Sequence, residues 1–216
     1  MAARILVINP NSTQAVTDGI RAGLSELNGG AVQIDCVTLA GGPPGIETDE
    51  HVEQVIPLLF DLIGREAKET DAFVNACFSD PGLDQLRAAT ECPVYGIGES
   101  AYREAARGGR RFGVISILDA SVDRHRRYID RLGLSHQLAG DLPLGLGVLE
   151  LADEARTRVR LIEVGTSLRE EYGAGVLILG CAGMAMYRDD LEATLGIQVI
   201  DPCQAATRNA LEGLQA

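Results

Sequence analysis

Seven short runs rich in valine and isoleucine recur along the chain, at residues 4–9, 32–37, 71–77, 94–97, 111–117, 175–180 and 197–200, and helical patterns separate them. Two parallel strands need a crossover of a dozen residues or more, usually a helix. The alternation therefore predicts an α/β fold in which parallel sheet is flanked by helices. Helices are expected over residues 12–27, 50–68, 82–90, 99–107, 120–132, 150–172, 184–195 and 203–214. Ser12 or Thr13 is expected to cap the first, and Asp80-Pro81 to start the third.

The pattern also repeats. Arg4-Ile5-Leu6-Val7-Ile8-Asn9-Pro10-Asn11-Ser12 is echoed by Arg111-Phe112-Gly113-Val114-Ile115-Ser116-Ile117-Leu118-Asp119, each reading as strand, polar turn and helix start. Each half then brings a cysteine to the end of a later strand, Cys77 after Asn9 and Cys181 after Ser116, at nearly equal separations. Two pseudosymmetric parallel-sheet α/β domains are expected, residues 1–97 and 98–202, with a last helix near 203–216 packing back on the first. Open α/β sheets take ligands at the carboxyl ends of their strands, commonly between domains, so the active site is expected in a shared cleft. Gly41-Gly42-Pro43-Pro44-Gly45 is the strongest loop signal and reads equally as a cover for that cleft or as a rigid surface connection.

With 46% hydrophobic residues the chain can bury a sizeable core, and a net charge of −12 excludes nucleic acid and anionic membranes as expected partners. No apolar stretch approaches the length of a membrane span, and Ile5-Leu6-Val7-Ile8 is too short for a secretory signal, so a cytoplasmic location is expected. Five cysteines without a CxxC pair, and His51, His125 and His136 as the only imidazoles, predict neither a disulfide framework nor a metal site. The single lysine, Lys68, lies at a solvated helix end and is a poor Schiff-base former. A small-molecule substrate and chemistry without a cofactor are the expectation.

Free cysteine is usually small apolar filler, and that reading holds for Cys36, Cys92 and Cys203. Cys77 and Cys181 differ. Each directly follows an apolar strand and precedes small or polar residues, Ser79 and Asp80 in one case, Ala182 and Gly183 in the other. Backbone N–H groups and the positive end of a helix can face a thiol there, a setting that lowers its pKa from about 8.5 toward neutrality. Two such thiols suggest a proton donor and a proton acceptor. An aimed N–H donor contributes roughly 3 kcal/mol to a developing anion, and a placed acid or base about 10² to 10⁴ in rate, enough for proton abstraction beside a carbonyl.

Other features read more plainly. Arg124, Arg126, Arg127 and Arg131 with Asp123 and Asp130 are expected to form a solvated helix face or a subunit contact, and His125 to lie at the surface. Met184 and Met186 suit pocket lining or core equally. Helix 150–172 is too charged to be wholly buried, and its apolar stripe is expected to meet another subunit of a homo-oligomer. Gly96-Ile97-Gly98-Glu99-Ser100-Ala101, with Asp119 downstream, fits a dinucleotide-binding turn, although the strand before it is short.

Five stretches together carry a family likeness: Ile8-Asn9-Pro10-Asn11-Ser12, Ala76-Cys77-Phe78-Ser79-Asp80-Pro81-Gly82-Leu83-Asp84, Val94-Tyr95-Gly96-Ile97-Gly98-Glu99-Ser100-Ala101, Gly109-Arg110-Arg111-Phe112 and Leu179-Gly180-Cys181-Ala182-Gly183-Met184-Ala185. Over nearly its whole length the chain resembles the aspartate/glutamate/hydantoin racemase superfamily, closest to its hydantoin and allantoin racemase branch. The resemblance implies two pseudosymmetric α/β domains, an active site between them, no cofactor, and one cysteine on each face of the substrate's stereocentre. By position those are Cys77 and Cys181. Amino-acid racemases of the superfamily follow their cysteines with Asn-Thr and Thr, which hold carboxylate and ammonium groups. Phe78-Ser79 and Ala182-Gly183 stand here instead, so a neutral ring bonded to backbone N–H groups is expected rather than a zwitterion. Gly45-Ile46-Glu47 replaces the Ser-Ile-Glu of the hydantoin branch, and Ser116-Ile117 stands where threonines are expected, which implies an unusual ring substituent.

The expected reaction is removal of the ring C5 proton by one thiolate and return of a proton by the opposite thiol. The enolate between would be held by backbone N–H groups at residues 78–80 and 182–184. Asn11, Ser79, Ser116 and Ser121 are the expected ring contacts, and Phe78, Asp80, Ala182, Gly183 and Met184 complete the predicted substrate site. Alternatives within the superfamily are an Asp/Glu-type amino-acid racemase, a maleate-type isomerase and an arylmalonate-type decarboxylase. A decarboxylase needs one proton donor rather than two, and a non-catalytic ligand sensor would leave the paired thiols unexplained.

Overall fold

The computed structural model describes residues 2–215. Two four-stranded sheets account for the strand runs. The first contains β1 (Ala3–Asn9), β2 (Val32–Thr38), β3 (Ala72–Asn75) and β4 (Val94–Gly96) in the order β2-β1-β3-β4. The second contains β5 (Phe112–Ser116), β6 (Leu138–Pro143), β7 (Val176–Leu179) and β8 (Gln198–Ile200) in the order β6-β5-β7-β8. Every pairing is parallel. The repeat read from the sequence extends to single hydrogen bonds. Ala76 N–H donates to the Ile8 carbonyl at 2.9 Å and Gly180 N–H to that of Ile115 at 2.8 Å, while Leu39 N–H meets Asn9 at 2.9 Å and Leu144 N–H meets Ser116 at 2.8 Å.

The helices are α1 (Gln14–Gly23), α2 (Asp49–Glu66), α3 (Leu83–Ala89), α4 (Ile97–Ala106), α5 (Asp119–Arg131), α6 (Glu154–Glu170), α7 (Arg188–Leu195) and α8 (Pro202–Gly213), with 3-10 turns at Val148–Ala152 and Ala182–Tyr187 among the connections. Strand alternation assigns the layers. Ile5 and Val7 of β1 face a central core together with Phe112 and Val114 of β5, and α1, α4, α5 and α8 fill the space between the sheets. Leu6 and Ile8 point the other way, under α2 and α3. Ile115 and Leu177 likewise turn outward, under α6 and α7. The two halves therefore share one core rather than meeting across a thin interface, and α8 packs against α4, β3 and β4.

Three local expectations are corrected. The strand β6 has no apolar signature: Leu138-Ala139-Gly140-Asp141-Leu142-Pro143 carries a glycine, an acid and a terminal proline, residues tolerated because this is an edge strand. Helix α1 begins after Thr13, but neither Ser12 nor Thr13 caps it through a side chain; the Asn11 carbonyl oxygen takes the Thr13 N–H at 2.9 Å instead. Helix α3 begins at Leu83 behind Gly82, whose φ of 65° is the left-handed conformation glycine allows, and Asp80-Pro81 forms the turn before it. No described helix is long and apolar enough to cross a membrane.

Gly98, in the first turn of α4, lies so close to the turn after β3 that a Cβ there would sit 2.3 Å from the Phe78 carbonyl oxygen and 3.1 Å from the Asp80 carboxylate. Backbone cannot yield as a flexible side chain does. Gly98→Ala is expected to cost about 2–3 kcal/mol in chemical denaturation. A variant as stable as the parent would refute this close approach.

Candidate active site

Ala76 is the last residue tied to the sheet by its N–H, so Cys77 stands just beyond the carboxyl edge of β3. The chain then turns back: Asp80 N–H donates to the Cys77 carbonyl at 2.8 Å. Asp80 has a φ of 46°, an uncommon conformation for a residue with a side chain. That backbone aims its carboxylate at the start of α4, where it accepts from Gly98 N–H at 3.0 Å, Glu99 N–H at 2.7 Å and the Tyr128 hydroxyl at 2.7 Å. Burial pushes the Asp80 carboxyl up to about 7 against the pull of those donors. The dinucleotide reading of residues 96–101 loses its space here, because the Asp80 carboxylate and the Phe78 carbonyl occupy the approach to Gly96 and Gly98 that a pyrophosphate would need.

The second half repeats the turn. Gly180 is the last residue bonded to the sheet, Met184 N–H donates to the Cys181 carbonyl at 3.2 Å, and Gly183 N–H reaches the Cys181 sulfur at 3.4 Å. Both cysteines border one cleft, to which Asn11, Phe78, Ser79, Ser121 and Ala182 also contribute. Of the other residues expected there, Ser116 is fully buried, Asp80 serves α4, and Met184 belongs to the core under the second sheet. Gly183 touches the site only through its N–H. Met186 is exposed. The N–H groups of Asp80 and Met184 are consumed by the turns, so those of Ser79 and Gly183 remain for an anion.

The thiols do not have the lowered pKa expected of them. Burial pushes Cys77 up to about 12, opposed by the Ser79 N–H, with nearby negative charge on Cys181 or Asp80 adding to the rise and Arg124 opposing it. Burial pushes Cys181 up to about 11, against the Gly183 N–H, and Glu47 adds to the rise. A strand end and a turn N–H are present at each, as read from the sequence, but desolvation in the cleft outweighs them, although both cysteines keep partial exposure.

The glycine-proline loop leads to the cleft. Ser12 N–H donates to the Pro43 carbonyl at 3.0 Å and the Thr13 hydroxyl to that of Pro44 at 2.7 Å, which seats the loop on the first polar turn. Ile46 then lines the cleft, and Glu47 accepts the Val148 N–H of the opposite half at 2.8 Å. Residues 41–45 do not line the cleft themselves; Ile46, the residue that follows them, does.

Two residues read as surface are in the site. Arg124 is mostly buried, lines the cleft, and donates to the Ser79 hydroxyl at 2.9 Å and to Asp49 at 2.7 Å. His125 is 2% exposed; its Nδ1 lies 2.9 Å from both the Ser116 hydroxyl and the Asp141 carboxylate, and its ring meets Phe78 edge to face at 5.0 Å. The charged run around them hid the fact that positions 121, 124, 125 and 128 share one helix face, a spacing that the sequence does contain. Asp141 could not be found without β6. Among the described residues no three His, Cys, Asp or Glu side chains converge as a metal would require.

A family model described as Asp/Glu/Hydantoin racemase matches residues 5–210. A hydantoin racemase of Pseudomonas sp. (strain NS671) is 35% identical over 96% of this chain and 84% of its own, and one of Paenarthrobacter aurescens is 33% identical over 96% and 89%. The solved allantoin racemase from Klebsiella pneumoniae superposes with a TM-score of 0.90 at 30% identity, covering 99% of this chain and 88% of that one. The two like-ordered parallel sheets are the fold of those racemases, and the chain belongs to the Asp/Glu/hydantoin racemase family, as an isomerase of the racemase type.

Proposed function

We propose that this protein racemises 5-substituted hydantoins, or a related ring such as allantoin, by transferring protons between C5 and two cysteines without a cofactor. The observation that carries the reading is the pair: Cys77 and Cys181 border the same cleft, each past the end of an equivalent strand, each followed two residues later by an N–H turned to its sulfur. The names of the relatives favour the ring, and so does the chemistry around the thiols. Neither cysteine is followed by side chains that would pair with both charges of an amino acid. Ser79, whose oxygen accepts from Arg124, keeps its own hydroxyl proton to donate.

With a ring between the thiols, the thiolate on one face removes the C5 proton and the C4 carbonyl becomes an enolate. N–H groups of Ser79 and Gly183 and the Arg124 guanidinium are the donors in reach of negative charge in the cleft. The thiol on the other face returns a proton to C5, and the electron pair of the enolate re-forms the carbonyl. Product leaves with the two sulfurs in exchanged protonation states, so the reverse enantiomer is the next substrate or the protons re-equilibrate.

Replacing either cysteine tests the assignment. Cys77→Ser and Cys181→Ser are each expected to lower racemisation about 10³-fold, followed by optical rotation. In D₂O each variant should still exchange the C5 proton of only one enantiomer, and not the same one. Full racemisation in either variant ends the two-cysteine reading. If hydantoins are inert and aspartate or glutamate loses optical rotation, the amino-acid alternative replaces the ring.

The raised thiols make a second prediction. Because both are held well above neutrality in the free protein, raising pH increases the thiolate fraction about tenfold per unit throughout the range 7–10. Alkylation of Cys77 and Cys181 by iodoacetamide, read by mass spectrometry, should rise with pH without a plateau below about pH 10, and kcat/KM should rise on its low-pH limb in parallel. A plateau near pH 7 would contradict the burial argument.

A further inference from the structure

His125 is not used by the proton transfer, yet it is among the most constrained polar groups in the protein. Its ring is 2% exposed, lies edge to face against Phe78, and borders the cleft between the two cysteines. Asp141 is 3% exposed and Ser116 0%. The Ser116 hydroxyl donates to one carboxylate oxygen of Asp141, and the His125 Nδ1 faces the other at 2.9 Å. A carboxylate only accepts, so Nδ1 carries the proton. Nε2 is the remaining polar atom of the ring, and it has no hydrogen-bond partner among the described residues.

Several polar groups around the cleft present donors. Asn11 spends its carbonyl oxygen on Asn9 and Thr13 N–H, which leaves its amide N–H groups. Arg124 can only donate, and the Ser79 hydroxyl, already accepting from Arg124, donates. The Asp141 carboxylate behind the ring holds the proton on Nδ1, which leaves Nε2 as the ring atom that can accept.

We propose that His125 is a specificity-determining residue, whose Nε2 accepts a hydrogen bond from a ring N–H of the substrate. The inference rests on the ring-racemase reading above and deepens it. Carbonyl and enolate oxygens are served by the cleft's donors, and a ring N–H is served by Nε2. A substrate with carbonyls but no N–H, such as a malonate-type acid, would displace water from Nε2 and leave it unpaired, which is costly. Asp141 and Ser116 are positioning residues that act through the imidazole.

The test compares a 5-substituted hydantoin with its N1-methyl and N3-methyl derivatives by C5 deuterium uptake, using the unmutated protein, His125→Asn and His125→Phe. Asparagine keeps an N–H for Asp141 and removes the second nitrogen; phenylalanine keeps the ring packing and removes both. The unmutated protein is expected to lose about 100-fold in kcat/KM on one of the two methyl derivatives. In His125→Asn the parent hydantoin should fall by about the same factor while that derivative is unchanged, so the discrimination collapses to near one. A merely structural role would lower all three substrates together and leave their ratios intact, and that result overturns the proposal. So does tolerance of both methyl groups by the unmutated protein. Imidazole ¹⁵N NMR of the unmutated protein with hydantoin bound is independent of how the variants fold: a ring protonated at Nδ1 alone supports the assignment, and a doubly protonated ring overturns it. Exchange of ring substrates with unaltered discrimination removes only the role of His125, whereas no exchange of any ring removes the ring-racemase reading and this inference with it.

Discussion

The carboxylate of Asp80 ties the parts of this protein together. It lies three residues past Cys77, in a backbone conformation that few residues with side chains adopt, and it accepts from the first turn of α4 and from Tyr128 on α5. The first contact anchors the thiol-bearing turn to the helix that leads out of the first sheet. The second anchors it to the helix that follows β5. A left-handed residue costs on the order of 1–3 kcal/mol, and the three hydrogen bonds that the carboxylate accepts oppose that strain, as they oppose the burial that raises its pKa. That is why the close packing of Gly98 against Phe78 matters: any residue with a Cβ there would push the turn off its anchor, and Cys77 with it.

Duplication explains how one thiol could come to face another. In each half the central strand bonds the residue before the cysteine, and the polar residue at its own end, Asn9 or Ser116, bonds the connection that leads to the cleft on that side. The two polar residues then diverge. Asn9 organises the turn into α1 through Asn11, Thr13 and Thr17, whereas Ser116 lies beneath the site and works with Asp141 on His125. A symmetric frame thus carries an asymmetric set of polar groups, as a substrate with distinguishable edges requires. The proposed two-cysteine reaction would need symmetry only at the two sulfurs.

Much of this was legible in the residues. Parallel sheet followed from the alternation of β-branched runs and helical patterns, and the repeat followed from the matching of Arg4–Ser12 with Arg111–Asp119. The two cysteine motifs stood out because an apolar strand ending in a thiol and small residues has few structural reasons to occur twice. What was not legible depended on tertiary placement. The charges of α5 looked like a solvated face, but the helix lies between the sheets, and Arg124 finds Ser79 and Asp49 only because the halves close on each other. Asp80 read as a local helix start because its true partners are far along the chain. The strand β6 was missed because an edge position relaxes the demand for β-branched residues, and with it went Asp141 and the reason for burying His125.

The opposite error concerned the thiols themselves, and it exposes a tension that the fold must resolve. An N–H at a strand end lowers a thiol pKa, but desolvation in the cleft raises it more, and burial is the larger cause at both cysteines. Such a thiol is rarely ionised at neutral pH, yet when it is, it is a stronger base, and proton transfer from carbon recovers part of the lost population because basicity rises with pKa. The recovery is incomplete, since only a fraction of each pKa unit returns as rate. In the proposed reaction the remainder would come from the enolate side, where the same desolvation that hinders ionisation strengthens every donor aimed at the developing oxygen anion. Desolvation by Ile46 and by the segment that the Glu47 bond to Val148 holds in place would therefore act on both sides of the proposed proton transfer. Loosening that segment would make the cysteines easier to ionise while weakening the stabilisation of the anion they create.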